Sequence, residues 1–590
     1  MKSETDIMAP TQPSSLERLS YYHGVGGKLL ARTSNFEFRG TITGDMGSIQ
    51  FTTIGQHGIV SIWSREVTIC LQEALEEVHW ERFYPIRTKV NWPYEFDDLN
   101  DSRNAVVLII EVPCGKVNWN DAAAAAWRCR IALRRFNILD VEVEVREIDR
   151  QPYAMDADLQ RCVYQQDWAL HDLPFTDHVN VSYETFLPAL SHIGYEITPE
   201  FESPSRYGTM GLHVRLSDRP SEAYGFTCRH VAHRPMSESD RNKEALWATD
   251  EDEYHLEPDA SEKHRIIQMC PSSLENLRFY VRQEIKNAEK TLRDLNLVEA
   301  KHISAPTTFP ELSEDESYLR SRLRKGTQVL GNIEAALLND RLKEDDARAI
   351  GHVAFMPPFE VSRTSGFLRD WALIRLDKAK FKEDDEIVNQ IFVSRRDIND
   401  LNNAARKHEA LMDMKAFIEA KRDRKGMIRL CGGLSGASPF HSGDPNAMGV
   451  GKRGASSRLT FGATNEIKAV VRRCKDNRLV TWEWIVVGAD ASTPFAKAGD
   501  SGAVLFNSEG RVIGVISAGC PDGRAGHGFS EKCSAGKMPA DLGEDAGAAE
   551  KPSVAGFRHS RPNVDVSFAT PVDVVFSDIR HVTGSDVEVI

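Results

Sequence analysis

Short apolar runs closed off by glycine, with helix-period segments set between them, are the clearest pattern along this chain. Ala105-Val106-Val107-Leu108-Ile109-Ile110-Glu111-Val112 reads as a buried strand, and Val141-Glu142-Val143-Glu144-Val145 alternates as a half-buried strand does. Between them, Asn120-Asp121-Ala122-Ala123-Ala124-Ala125-Ala126-Trp127 is alanine-rich with an acid near its start, which predicts a helix. The three form a β-α-β unit in a small α+β domain. Whether that domain regulates, recognises or only packs against its neighbours is not written in its residues.

Strand patterns return at Gly208-Thr209-Met210-Gly211-Leu212-His213-Val214-Arg215, where His213 is expected to face solvent or neighbours on its strand, and at Gly225-Phe226-Thr227-Cys228-Arg229-His230-Val231. Helical spacing follows. Ser272-Ser273-Leu274-Glu275 is a capping-box pattern ahead of Leu277, Val281, Ile285, Leu292 and Leu295 on one face. Ser313-Glu314-Asp315-Glu316 repeats the signal before Leu319, Leu323, Leu330, Ile333 and Leu337, and Ala305-Pro306-Thr307-Thr308-Phe309-Pro310 separates the two. The pattern predicts a helical hairpin, with a third helix from Asp397 to about Lys421. Its narrow apolar stripes suit internal packing, dimerisation or a protein partner.

The remaining strand signals are Gly351-His352-Val353-Ala354-Phe355, Arg369-Asp370-Trp371-Ala372-Leu373-Ile374-Arg375-Leu376, Gly449-Val450-Gly451-Lys452-Arg453-Gly454, Ser456-Ser457-Arg458-Leu459-Thr460-Phe461-Gly462 and Val480-Thr481-Trp482-Glu483-Trp484-Ile485-Val486-Val487. The run at Lys452 lacks the glycine spacing and the Ser/Thr of a phosphate loop.

Chemistry concentrates at Ala498-Gly499-Asp500-Ser501-Gly502-Ala503, which precedes a hairpin made by Val504-Leu505-Phe506, a turn at Asn507-Ser508-Glu509-Gly510, and Val512-Ile513-Gly514-Val515-Ile516-Ser517. A serine hydroxyl attacks only when a base takes its proton, and the oxyanion it creates needs N–H donors aimed at it. Gly499 and Gly502 let the backbone fold tightly around Ser501, so that the amides of Gly499 and Ser501 reach one acceptor. Upstream lie a histidine closing a strand, His230, and an acid opening one, Asp370. The order is His, Asp, Ser.

In these segments the chain resembles the chymotrypsin-like (trypsin-like) serine peptidases of intracellular type. Thr227-Cys228-Arg229-His230 is similar to their Thr-Ala-x-His segment, Asp370-Trp371-Ala372-Leu373-Ile374 to their Asp-x-Ala-Leu strand, and Gly499-Asp500-Ser501-Gly502 to their nucleophile turn. Ser517-Ala518-Gly519 is similar to their substrate-pairing edge, and Lys452-Arg453-Gly454 with Thr460-Phe461-Gly462 to their Lys-x-Gly and Thr-x-Gly strand and turn. The resemblance implies His230 as base, Asp370 as its orienting acid, Ser501 as nucleophile, Gly499 and Ser501 as the oxyanion hole, and Ser517, Gly519 and Phe495 at the substrate. It implies an α+β multidomain chain: a chymotrypsin-like double antiparallel β-barrel with an N-terminal α+β domain and an inserted helical hairpin.

The expected organisation is a disordered tail over 1–20 and an N-terminal α+β domain over 21–204. A first barrel follows at 205–271, is interrupted by the hairpin at 272–346, and resumes at 347–385. A helical connection fills 386–430, and a second barrel spans 431–590, with a disordered loop at about 523–562 before Val566–Phe576 supplies the last strand and a closing helix. Val231 and Ala503 depart from the family pattern, and the Ile-Val-Gly-Gly start that supplies a freed amino terminus to the acid beside the nucleophile is not found. Asp500 is therefore expected to lack its usual partner: either the hole forms without cleavage or another group orders it.

With 590 residues and 41% apolar content the chain is long enough for several cores, and its net charge of -14 argues against a general nucleic-acid binder. No secretory signal or apolar span of membrane length is read from it, so no membrane role is expected. Ten cysteines without CxxC pairing point to reduced thiols in the cytoplasm or nucleus. Cys228, His230 and His233 lie close together but without a zinc-site spacing, so neither a metal nor a cofactor is expected. The function expected is a serine endopeptidase acting on a protein or peptide through an acyl-enzyme. The alternatives are a catalytically silent scaffold or partner-binding module and, more weakly, a hydrolase of small esters. Phe495 at the counted pocket base argues against a Lys/Arg preference and for a small or apolar side chain.

Overall fold

The computed structural model describes Pro10 and residues 12–22, 27–34, 48–91, 104–148, 193–200, 207–232, 254–255, 264–304, 345–358, 360–381, 387–424, 426–432, 447–472, 480–489, 494–519 and 566–590, with scattered residues between 320 and 331. The amino-terminal module is a sheet of β1 (Lys28–Arg32), β2 (Ser48–Thr52), β3 (Arg82–Asn91), β4 (Asn104–Pro113) and β5 (Glu142–Ile148). Its spatial order is β1-β5-β4-β3, with β2 on β3. β4 and β5 are parallel, and the helix Trp119–Arg135 crosses between them. Asn118 caps that helix by accepting from Asp121 N at 3.0 Å. Its buried alanines let it lie close on the sheet, beside the helix Arg65–Ala74.

A second sheet contains β6 (Glu196–Pro199), β7 (Gly208–Thr209), β8 (Leu212–Leu216), β9 (Arg219–Thr227), β10 (Tyr254–His255), β11 (Arg265–Gln268), β12 (Ala349–Met356) and β13 (Ala372–Leu376). The order runs β8-β9-β13-β12-β11-β6-β7. β7 pairs with β6 at one end of that order and β8 with β9 at the other, although only two residues separate β7 from β8. Met210 N donates to Tyr195 O and Gly211 N to Phe226 O, both at 2.9 Å, so the bend itself keeps both edges bonded and the sheet curls into a half-barrel.

The helix Pro271–Ser304 leaves from β11 and buries Leu274, Val281 and Ala288 while Phe279 and Leu297 stay exposed. Described residues of the second expected hairpin helix are helical between 320 and 331, and Arg320 Nη2 donates to Leu295 O at 3.0 Å. The third expected helix is two, Arg395–Ala405 and Met412–Lys421. They are flanked by a ribbon of β14 (Gln390–Phe392) and β15 (Met427–Arg429).

The third body is a closed six-stranded antiparallel barrel. β16 (Gly449–Gly454), β17 (Arg458–Thr464), β19 (Val480–Gly488), β22 (Val566–Pro571), β21 (Val512–Gly519) and β20 (Val504–Phe506) pair in that cycle, and β20 returns to β16. Val450, Trp484, Val486, Phe495, Leu505, Ile513 and Ile516 fill one part of its core. β18 (Ala469–Arg472) leaves the barrel, pairing with β19 on one side and with β3 of the amino-terminal sheet on the other. The amino-terminal module is thus hydrogen-bonded into the barrel's own sheet.

At the same junction Arg82 stacks over Phe568 of β22 at 4.6 Å, and Glu111 binds Arg82, Arg146 and the Tyr84 hydroxyl. Burial would raise the Glu111 carboxyl, but those two guanidiniums bring it down to about 2. Among the described residues no helix is long and apolar enough to cross a membrane. Cys70, Cys114, Cys129, Cys228, Cys270 and Cys431 are thiols rather than disulfides.

Four expectations are corrected. Residues Ser15–Ser20 form a helix capped by Ser14, because Tyr21 and Tyr22 are anchored on Glu144 at 2.6 and 2.5 Å. β6 belongs to the second sheet, so that body begins before residue 205. The carboxy-terminal β23 (Val587–Val589) pairs with β8 after the helix Val572–Thr583, returning the chain end to the second sheet. His213 is fully buried, because the Val388 carbonyl, the Asn389 side chain and Ile590 cover its strand. The expected loop at about 523–562 and His233 lie outside the described residues.

Burial of His213, only partly offset by its contact with Val388 O, depresses its pKa from the usual 6.5 to about 4. Between these values the unfolded chain takes up a proton that the folded chain refuses. This contribution is fully present above pH 6.5 and is lost as pH falls through 4, reaching about 3 kcal/mol at most. Unfolding measured against pH is expected to show His213→Gln losing less stability than wild type over that interval; parallel curves would contradict it.

Candidate active site

The β9–β13 ladder brings the histidine and the first acid together. Thr227 pairs with Ala372, and the strands are antiparallel. Three residues onward from Thr227 and two residues back from Ala372 lead off the same end of the sheet. His230 and Asp370, 140 positions apart, meet there: His230 Nδ1 lies 2.7 Å from Asp370 Oδ2, and His230 N donates to Asp370 Oδ1 at 3.1 Å.

A carboxylate at Nδ1 places the proton on that nitrogen and leaves Nε2 as the basic atom. Asp370 is itself held from both flanks. Arg369 Nε and Trp371 Nε1 donate to the same Asp578 Oδ2 at 2.9 and 2.6 Å, which ties the acid's backbone to the helix Val572–Thr583.

Ser501 sits on the turn entering β20 and is 5% exposed. Gly499 and Gly502 both have φ of +93°, which a residue with a Cβ adopts only under strain. The turn is docked against β7 and the residue that follows β9. Ser501 O accepts from Thr209 N at 2.9 Å, and Thr209 Oγ1 donates to Gly499 O at 2.8 Å. Ile516 O accepts from both Gly502 N, at 2.9 Å, and Cys228 Sγ, at 3.4 Å. The nucleophile turn and the segment two residues before His230 thus share one acceptor.

Amide use within the turn is selective. Asp500 N donates to Lys497 O, Gly502 N to Ile516 O and Ala503 N to Asp500 O. The amides of Gly499 and Ser501 have no acceptor among the described residues.

The expected substrate residues divide. Gly519 pairs with Ser567 of β22, and Ser517 lies at a register slip, its hydroxyl donating to Glu483 Oε2 at 3.2 Å and Phe568 O at 3.4 Å. β20 and Ala503 cover the other edge of β21 only as far as Ile516, so beyond it residues 517–519 have a described strand on one side alone. Phe495 is 1% exposed and lies in the barrel interior, its carbonyl accepting from Thr460 Oγ1 at 2.7 Å.

Sequence reasoning missed two groups. Asp578 carries no motif at all. Lys452, read as part of a strand and turn, places Nζ 3.0 Å from Asp500 Oδ2, so a side chain stands where the usual amino-terminal partner of that acid was expected to be missing. Burial would raise the Asp500 carboxyl, but Lys452, the Ser457 hydroxyl and backbone amides outweigh it and hold it below its usual range.

Cys228, His230 and Asp370 also bring donor atoms within 4.8 Å of one another. Among these atoms, His230 Nδ1 and Asp370 Oδ2 are bonded to each other, and Cys228 Sγ is turned to a backbone carbonyl. No protein-family model matches the chain, and no curated protein matches it.

Proposed function

We propose that this chain is a serine endopeptidase of the chymotrypsin-like kind, with the closed barrel and the curled sheet as the two halves of its double barrel. The observation that carries the reading is the Asp370–His230 pair standing against the turn that carries Ser501 and the uncommitted amides of Gly499 and Ser501.

In this reaction His230 Nε2 takes the proton from Ser501 Oγ as the oxygen attacks the peptide carbonyl. Asp370 keeps the tautomer and stabilises the imidazolium. The amides of Gly499 and Ser501 bind the oxyanion, whose charge is worth most to stabilise where water is excluded. His230 then passes its proton to the leaving amine, the acyl-enzyme forms, and water repeats the sequence to release the acid.

The half-paired edge at residues 517–519 suits an extended peptide backbone, which favours a protein or peptide over a small ester. The Lys452–Asp500 pair gives the acid beside the nucleophile a partner, which supports an active site over a silent scaffold. Labelling by a fluorophosphonate, which needs both an activated serine and an oxyanion hole, tests the reading. Wild type is expected to label and Ser501→Ala to stay blank; a folded wild type that does not label contradicts it.

A further inference from the structure

Asp500 and Lys452 are both fully buried, and every oxygen lone-pair direction of the acid is used. Oδ1 accepts from Ser456 N at 2.9 Å and Ser457 N at 3.0 Å; Oδ2 accepts from Lys497 N at 2.8 Å, Ser457 Oγ at 2.5 Å and Lys452 Nζ at 3.0 Å. Lys452 also donates to Ser457 Oγ and lies 5.6 Å from the centroid of the Phe495 ring.

The strand geometry fixes this position. Lys452 pairs with Thr460 on β17 and Leu505 on β20, in the middle of the barrel wall. Two residues on, a Cβ at Gly454 would lie 2.5 Å from Asp500 Cγ, so the strand comes this close only because that residue is glycine.

Each charge therefore constrains the other. Swinging Asp500 out to solvent would strand an ammonium inside the barrel, and an unpaired buried charge costs several kcal/mol. The loop conformation that satisfies both is the one in which Gly499 N and Ser501 N flank the acid and remain uncommitted.

Resting on the peptidase reading above, we propose that Lys452 is the built-in positioning residue of the nucleophile loop. Its ammonium holds Asp500 inward and keeps the oxyanion hole formed, so that the full chain is competent without any cleavage.

The experiment measures fluorophosphonate labelling of the full, uncleaved chain, separating the reversible binding constant from the maximal rate, with thermal unfolding run alongside. Wild type labels as purified. Lys452→Met is expected to lose about 100-fold or more in maximal rate, the size of losing an oxyanion donor, with a smaller change in binding. Lys452→Ala is expected to regain labelling when propylammonium is added, and not when propanol is.

Should the single variants unfold, Lys452→Met/Asp500→Asn, which removes both charges together, is expected to fold and still label slowly. Labelling of any folded Lys452 variant at the wild-type rate, or recovery with propanol as readily as with propylammonium, overturns the inference while leaving the peptidase reading intact. A wild type that does not label overturns both.

Discussion

Asp370→Asn is expected to slow fluorophosphonate labelling of Ser501 by about 10,000-fold while leaving the melting temperature nearly unchanged, the magnitude such a change has in a Ser-His-Asp triad. The cause lies in the 2.7 Å contact with His230 Nδ1. An asparagine that keeps its carbonyl toward His230 N, now bonded at 3.1 Å, must turn its NH2 toward Nδ1. The ring then carries its proton on Nε2, where it cannot accept the one on Ser501. A variant labelling within a few fold of wild type would mean that His230 is not the base.

The second large effect falls on the turn itself. Gly502→Ala is expected to destabilise the fold by about 3–5 kcal/mol, because a methyl there is strained twice over. At φ +93° an L side chain is disfavoured, and its Cβ would collide with Thr227 Oγ1 and stand 2.5 Å from Thr209 O. Thr209 O already accepts from Thr227 Oγ1 at 2.8 Å, so neither neighbour moves without breaking the bond between β7 and β9, and Thr209 is also the residue that holds Gly499 and Ser501. Chemical denaturation of the variant measures the loss. A cost below about 1 kcal/mol would show that the two bodies are not wedged together at this glycine.

The residues of the candidate site were legible from local pattern: His230 follows the run Gly225-Phe226-Thr227, Asp370 precedes Ala372-Leu373-Ile374, and Ser501 stands between Gly499 and Gly502. Their meeting was not legible. It depends on the β9–β13 register and on Thr209 reaching across to Gly499, and no local pattern encodes a pairing over 140 or 290 positions. The β4–helix–β5 unit was readable because its apolar period changes from strand to helix and back within 45 residues, from 104 to 148. That β18 would carry the amino-terminal sheet into the barrel was not, since Ala469–Arg472 looks like any other short strand.

The outward reading of His213 and the missed partner of Lys452 share one physical cause. His213 and Lys452 are polar residues in strand patterns, and a polar residue on a strand is ordinarily placed outward. His213 is covered instead by Ile590, the Val388 carbonyl and the Asn389 side chain, all distant in sequence. Lys452 shares its strand face with the buried Val450, and an inward lysine requires a buried acid; Asp500 was the acid in want of a cation. Matching those two demands against each other would have paired them from the sequence.

The most direct test of the account is fluorophosphonate treatment of the full chain followed by mass mapping of the adduct, run on wild type, Ser501→Ala and His230→Ala. The account predicts a single adduct on the peptide containing Ser501 in wild type and none in either variant, with all three proteins folded. Equal labelling of wild type and His230→Ala, or an adduct elsewhere on the chain that survives Ser501→Ala, would contradict it.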